Sequence, residues 1–273
     1  MGQPESSNSQ PPIAIKPLIN APTPTVEPPR NRRLAGKVAL IMGSDGRLDR
    51  KIASVYAQQG ACIVLCGLHL RRGRSVVQQL LLAGGEGRFV LTDVADALDV
   101  QRAVESAVAT YGQLDILLNN CQPLAQPETT VQTLSPALWN RTLDVTLGGP
   151  FLAVRHAVPF LRRAGHGSII NIAPLPDRGL GLATAVSQSG LVKMTERMAH
   201  SLAPCGVRVN LIWPGPPLPS GQADGMPTYV LGHRGQRPER AIARAALYLA
   251  CADSQALNGS TLRPRWTPPT ACN

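Results

Sequence analysis

Aromatic side chains are scarce in this chain. Three Trp, four Tyr and three Phe make up 4% of its 273 residues. That is too few flat rings for a platform on which bases could stack. Lysine is also sparse, so the formal net charge of +10 is carried largely by arginine. No apolar run reaches membrane-spanning length, and the N-terminus has no compact apolar signal core. The six Cys follow neither a disulfide framework nor a zinc spacing. His69, His156, His166, His200 and His233 show no metal-ligand spacing either. The expectation is a cytoplasmic protein with no metal, no membrane contact, and inert core thiols at Cys62 and Cys66. The cations scatter along the chain, from Arg30, Arg32 and Arg33 to Arg237, Arg240 and Arg244. Such scatter reads as a solvated surface, not a nucleic-acid groove, whose mark would be steep salt dependence.

What is present is enough chain for one large α/β domain with a full core. Residues 1–33 form a tail in which Pro4, Pro11, Pro12, Pro17, Pro22, Pro24, Pro28 and Pro29 stand among Ser, Gln, Asn and Thr. That composition cannot bury a core and predicts a disordered or polyproline-like segment. From residue 34 to 273, apolar runs alternate with helical patterns. Strands are expected at 38–41, 61–66, 88–91, 114–118, 168–172 and 207–212. Helices are expected at 48–59, 71–83, 97–111, 135–147, 150–163, 184–202 and 238–251. The alternation predicts a single-domain, three-layer, doubly wound parallel sheet of Rossmann-like type.

The stretch 38–59 organises the rest. Val38-Ala39-Leu40-Ile41 is followed by Met42-Gly43-Ser44-Asp45-Gly46, and then Ile52, Val55 and Tyr56 recur at helical spacing. Strand, Gly-bearing turn and helix open a unit in which N–H groups at a helix N-terminus hold a pyrophosphate. Further on stand Asp93-Val94, Leu114-Asp115-Ile116-Leu117-Leu118-Asn119-Asn120, Gly167-Ser168-Ile169-Ile170-Asn171-Ile172, Arg208-Val209-Asn210 with Pro214-Gly215, Arg237-Pro238-Glu239 and Asn258-Gly259. Together with Leu34–Ile41, these resemble the short-chain dehydrogenase/reductase family from Leu34 to about Leu262. The resemblance implies a nicotinamide cofactor, NAD or NADP, held by Gly43, Arg47, Asp93, Val94, Asn120, Pro214 and Gly215.

The departures from that family matter as much as the matches. Its turn reads Thr-Gly-x-x-x-Gly-Ile-Gly, and here the second Gly is Arg47 and the third is Asp49. Those glycines allow close backbone approach to phosphate and close packing of helix on strand. A carboxylate about 4–5 Å from a phosphate charge, at an effective dielectric near 20, costs about 3–4 kcal/mol. The second strand ends Cys66-Gly67-Leu68-His69, without the acid or Arg that relatives place against the adenosine ribose, although Arg71 and Arg72 are close. Relatives also use a backbone N–H near Pro217, and proline has none.

The family's chemistry uses a Tyr acid/base, a Lys one helical turn on that lowers the Tyr pKa, a Ser on the substrate oxygen, and an Asn that holds a relay water. Counting back from Arg208-Val209-Asn210, the Tyr position falls on Thr184 and the Lys position on Gln188. The relay Asn falls on Thr146 and the Ser on Pro174. Ser189 and Lys193 are four apart, but using them would slide the helix by five residues, about 140° around its axis. A non-catalytic member with a binding or assembly role, holding no cofactor, is therefore expected. The alternative is an NAD(P)-dependent oxidoreductase with non-standard residues, acting on a small carbonyl or alcohol. By the resemblance, assembly runs through helices 150–163 and 184–202, as a homo-oligomer or beside an active relative. Phe151, Leu152, Val154, Val158 and Leu161, with Leu191, Met194, Met198 and Leu202, are the apolar residues expected to serve it.

Overall fold

Val38–Gly43 forms β1, and its side chains alternate between two cores. Ala39 and Ile41 enter one apolar cluster, while Val38, Leu40 and Met42 enter the other. A strand buried on both faces reads as a continuous apolar run, which is why periodicity alone could not assign it. The structure is a computed structural model that describes residues 32–43, 46–122, 130–174, 181–214, 228–231 and 237–264. The chain divides into Met1–Arg30 and Asn31–Asn273, and all described residues belong to the second unit.

The helix α1 (Arg47–Gln58) follows β1, then β2 (Cys62–Gly67), α2 (Leu70–Leu82) and β3 (Glu86–Leu91). Next come α3 (Ala97–Tyr111), β4 (Ile116–Asn120), α4 (Pro136–Leu143), α5 (Gly149–Arg163) and β5 (Ser168–Ile172). The chain continues through α6 (Leu182–Leu202), β6 (Arg208–Ile212), β7 (Thr228–Leu231), α7 (Pro238–Ala250) and β8 (Thr261–Pro264). The sheet has eight strands in the order β3-β2-β1-β4-β5-β6-β8-β7. Every pairing is parallel. One core places α1, α2 and α7 on one face of the sheet, and the other places α3 and α5 on the opposite face. This is the three-layer doubly wound architecture expected. Strand order reverses between β1 and β4, where such sheets open a crevice at their carboxyl ends.

The structure corrects several boundaries. β4 begins two residues late because Asp115 works below the ladder. Its carboxylate accepts from the Val38 N–H at 2.9 Å, from Lys37 Nζ at 3.0 Å and from Gln113 Nε2 at 2.9 Å. Strands β7 and β8, at the far side of the sheet, were not expected at all. The two helices expected at 135–147 and 150–163 are continuous, joined by a π-helical turn at Asp144–Gly148. Pro150 cannot donate the bond a regular helix would require of it, and the widened turn falls just before it. Gly149 keeps the helix on course. A Cβ there would stand 3.1 Å from the Val94 carbonyl oxygen and 3.2 Å from its side chain.

Two buried polar contacts tie the layers together. The Tyr56 hydroxyl, on α1, donates to the Ala246 carbonyl of α7 at 2.9 Å. Asn119 of β4 donates to Asn171 of β5 at 2.9 Å, and Asn171 donates to the Thr195 hydroxyl of α6 at 2.9 Å. Paired in this way, groups that would each cost free energy if buried alone fix the register of α6 on the sheet.

Candidate functional site

The crevice at the carboxyl ends of β1 and β4 is where the turn after β1 meets Asn120. Gly43 has φ +144, and a Cβ on it would lie 2.2 Å from the Asn120 carbonyl oxygen. Its glycine is therefore required by the approach of β1 to β4, before any ligand is considered. Gly46 is the N-cap of α1, and Asp49, three residues on, accepts from the Gly46 N–H at 3.2 Å, the one half of a capping box that a glycine N-cap allows. The same carboxylate accepts from Asn120 Nδ2 at 2.6 Å. Asp49 is fully buried. Asn120 in turn accepts from Gln122 Nε2 at 2.8 Å.

This changes the meaning of Asp49. It is an internal anion at a helix N-terminus, where the positive end of the peptide dipoles favours negative charge. It uses the Gly46 N–H and the Asn120 amide, donors that a phosphate at this turn would otherwise draw on. Among the described residues of the turn, the buried Asp49 carboxylate does not fit a pyrophosphate held there. Arg47 is exposed at the first position of α1. Burial pushes the Cys121 thiol well up, and the nearby Asp49 and Cys66 push the same way. Cys66, fully buried, is pushed up to about 12 by burial. Neither thiol is poised as a nucleophile near neutral pH.

Beside this point lies a cavity of about 90 Å³ whose walls include Gly43, His69, Asp93, Val94, Cys121 and Arg141. Asp93 and Val94, placed far from the turn by sequence, are thus brought to it. The Asp93 carboxylate is already engaged. Arg141 Nη2 donates to it at 2.9 and 3.1 Å, and the Ala95 N–H donates at 3.0 Å. Arg141 was not anticipated, and its place on a helical pattern 48 residues away gave no sign of the pairing. Pro214 is buried after β6, while Gly215, Pro216, Pro217 and His233 lie outside the described residues.

The four positions that the resemblance assigns to chemistry lie at the ends of β5, α4 and α6. Thr184 and Gln188 are one turn apart on α6, and both are buried. Gln188 Nε2 donates to the Pro174 carbonyl at 2.8 Å, which joins two of the four directly. Thr146 sits in the π turn, buried, with its hydroxyl donating to the Thr142 carbonyl at 2.7 Å. That turn packs on α6 through Leu147, whose Cδ2 would stand 3.1 Å from a Cβ at Gly190. No ionisable side chain occupies any of the four positions. The Ser189 hydroxyl donates to the Ala185 carbonyl at 3.2 Å, and exposed Lys193 pairs with Glu196 at 2.7 Å. Among the described residues, no cluster of three or more His, Cys, Asp or Glu side chains could hold a metal, and no helix is long and apolar enough to cross a membrane.

The nine apolar residues expected to form an assembly face divide in three. Val154, Leu161 and Leu191 are buried within the chain's own cores, so they are not available to a partner. Leu152, Val158, Met194, Met198 and Leu202 are half-buried, and Phe151 remains 46% exposed on α5; Val186, which was not among those expected, is 42% exposed on α6. Val154 and Leu161 share a core with α3, which packs against α5, while Leu191 packs with Ala173, Leu211 and Trp213.

A doubly wound parallel sheet with a glycine turn at its switch point defines a dinucleotide-binding type of fold. A family profile described as enoyl-(acyl carrier protein) reductase matches residues 48–263. D-threitol dehydrogenase of Mycolicibacterium smegmatis is 32% identical over 84% of this chain and 92% of its own length. A short-chain dehydrogenase/reductase of Burkholderia xenovorans superposes with a TM-score of 0.71 at 28% identity, over 85% of this chain and 96% of that one. Carveol dehydrogenase of Mycobacterium avium, solved in complex with NAD, gives a TM-score of 0.72 at 22% identity, over 85% and 96%, which speaks to the fold alone. The chain belongs to the short-chain dehydrogenase/reductase family.

Proposed function

We propose that this protein is a non-catalytic member of its family, with a binding or assembly role and no tightly held dinucleotide. What supports the reading is the set Thr146, Pro174, Thr184 and Gln188 at the four positions that the resemblance assigns to chemistry. A Thr hydroxyl does not exchange a proton near neutral pH, and the Gln188 amide is committed to the Pro174 carbonyl. Proton transfer by a placed side chain contributes about 10²–10⁴ in rate. Replacing acid, tuner, substrate donor and relay together leaves positioning alone, and Asp49 works against positioning the cofactor. The test is turnover of carveol and D-threitol with NAD and NADP. The expected result is no rate above buffer, and saturable, enzyme-dependent turnover would overturn the reading.

The relatives' names favour a second reading, an NAD(P)-dependent oxidoreductase acting on a small alcohol or carbonyl. The cavity against Gly43, Asp93 and Val94 supports it, since it lies where the resemblance places the adenine end of a cofactor. Saturable dinucleotide binding, with or without turnover, would favour this reading over the first.

Assembly through α5 and α6 is part of the proposal. Phe151 on α5, and Leu182 and Val186 on α6, supply exposed apolar side chains. Sedimentation or light scattering at micromolar concentration tests it, and a monomer there would remove it.

A further inference from the structure

A groove of about 420 Å³ runs between α1 and α2 on the outer side of the sheet, apart from the crevice at the switch point. Arg47, Arg50 and Lys51 line one end, Arg32 also borders it, and Val76 and Leu80 form part of its floor. No carboxylate lines it. Among the described residues, none of the four cations is ion-paired.

We propose that this groove binds a compact polyanion, a molecule carrying two or more phosphoryl or carboxyl groups on a body small enough to lie between two helices. The volume falls within the usual range for small-ligand sites, about 300–1,000 Å³. Arginine predominates, and its planar fork matches phosphate and carboxylate oxygens two at a time.

The arrangement of the cations also needs an explanation. Arg47, Arg50 and Lys51 stand three and four residues apart on one helix, where like charges repel. They occupy the first turns of α1, the end at which positive charge is disfavoured, while its last turn carries no basic residue. Asp49, which offsets part of this, is buried and turned towards Asn120. An anion in the groove would relieve the repulsion at all three cations together. A solvated surface with no ligand would gain from spreading them.

The inference does not depend on the state of the cofactor-type crevice, because Arg50, Lys51 and Arg32 have no part in it. The test is calorimetry with inorganic tripolyphosphate and with citrate at low ionic strength, on the full chain. Three proteins are compared: wild type, Arg50→Glu with Lys51→Glu, and a control with equal charge change, Arg240→Glu with Arg244→Glu on α7. The expected result is saturable binding of at least one anion by wild type and control, and at least tenfold weaker binding by the groove variant. The anion that binds more tightly identifies phosphoryl or carboxyl as the preferred group. No saturable binding by wild type, or equal weakening in both variants, would overturn the proposal. If the groove variant fails to fold, Arg32→Glu replaces it, under the same criteria.

Discussion

Replacing Asp49 by Asn keeps the shape of the side chain and removes one negative charge. In the fold, the carboxylate accepts from Asn120 Nδ2 at 2.6 Å and from the Gly46 N–H at 3.2 Å. An Asn offers one carbonyl oxygen and an NH₂ that turns a donor on a donor. One buried group then loses its partner, at a cost of about 1–3 kcal/mol. A domain with about 5–15 kcal/mol in hand stays folded. For a dinucleotide the sign is opposite. Repulsion between the Asp49 carboxylate and one phosphate charge at about 4–5 Å amounts to about 3–4 kcal/mol at an effective dielectric near 20. Its removal is worth a few hundred-fold in affinity, since every 1.4 kcal/mol is about tenfold. Asp49→Gly goes further, because it leaves both donors free for a phosphate and restores the residue type of the family turn. Urea unfolding should therefore rank wild type above Asp49→Asn, while calorimetry with NADP ranks them the other way. Two results would refute the reasoning. One is a wild-type dissociation constant below about 10 μM, near −7 kcal/mol. The other is a folded Asp49→Asn protein whose affinity is no better than wild type.

Thr184→Tyr with Gln188→Lys should give no turnover, because Pro174, Thr146 and the occupied turn remain and groups acting as a unit do not add; measurable reduction of a carbonyl by that variant would contradict this. Phe151→Asp and Val186→Asp should each dissociate an assembly without unfolding the subunit, since both side chains are exposed within it, and an interfacial unpaired charge costs about 3–5 kcal/mol; light scattering that shows an oligomer surviving both would discard these helices as the interface. Stability should fall on the alkaline side. The Cys66 thiol stays neutral in the fold up to about 12, against an ordinary value of 9.0, so its contribution is full below pH 9 and is lost as pH rises towards 12. Buried Tyr56, also raised, acts in the same sense. A single such thiol sets a slope of about 1.4 kcal/mol per pH unit, and urea titrations at several pH values should show a shallower decline in Cys66→Ala; equal slopes would count against it.

The architecture was legible because it rests on short-range pattern. The runs at β1 and β2 are apolar almost throughout and those at β5 and β6 mostly so, as strands covered on both faces tend to be, and the helices between them keep helical spacing. What the pattern could not carry was competition between neighbours. Leu114 and Asp115 look like strand, but the Asp115 carboxylate does more by capping the Val38 N–H and holding Lys37. Gly148, Gly149 and Pro150 look like a break, but a π turn absorbs the missing donor and Gly149 seats on Val94. Val154 and Leu161 look like spare apolar surface until α3 is laid against them.

The candidate site divides along the same line. The resemblance assigns Thr184, Gln188, Pro174 and Thr146 to the catalytic positions by counting from flanking residues. What each does could not be counted in that way, because it depends on partners brought in by the fold. Gln188 reaches the carbonyl of a residue 14 positions back. Asp49 is held by an amide 71 positions on. Asp93 is held by Arg141, and the Thr146 hydroxyl by its own helix. Buried donors and acceptors without partners would each cost about 1–3 kcal/mol. Each of these four groups has an internal partner, whereas the buried Asn119 Oδ1 on β4 has none among the described residues. Substitutions that break these contacts to restore one or two reactive residues should therefore lower the stability of the protein.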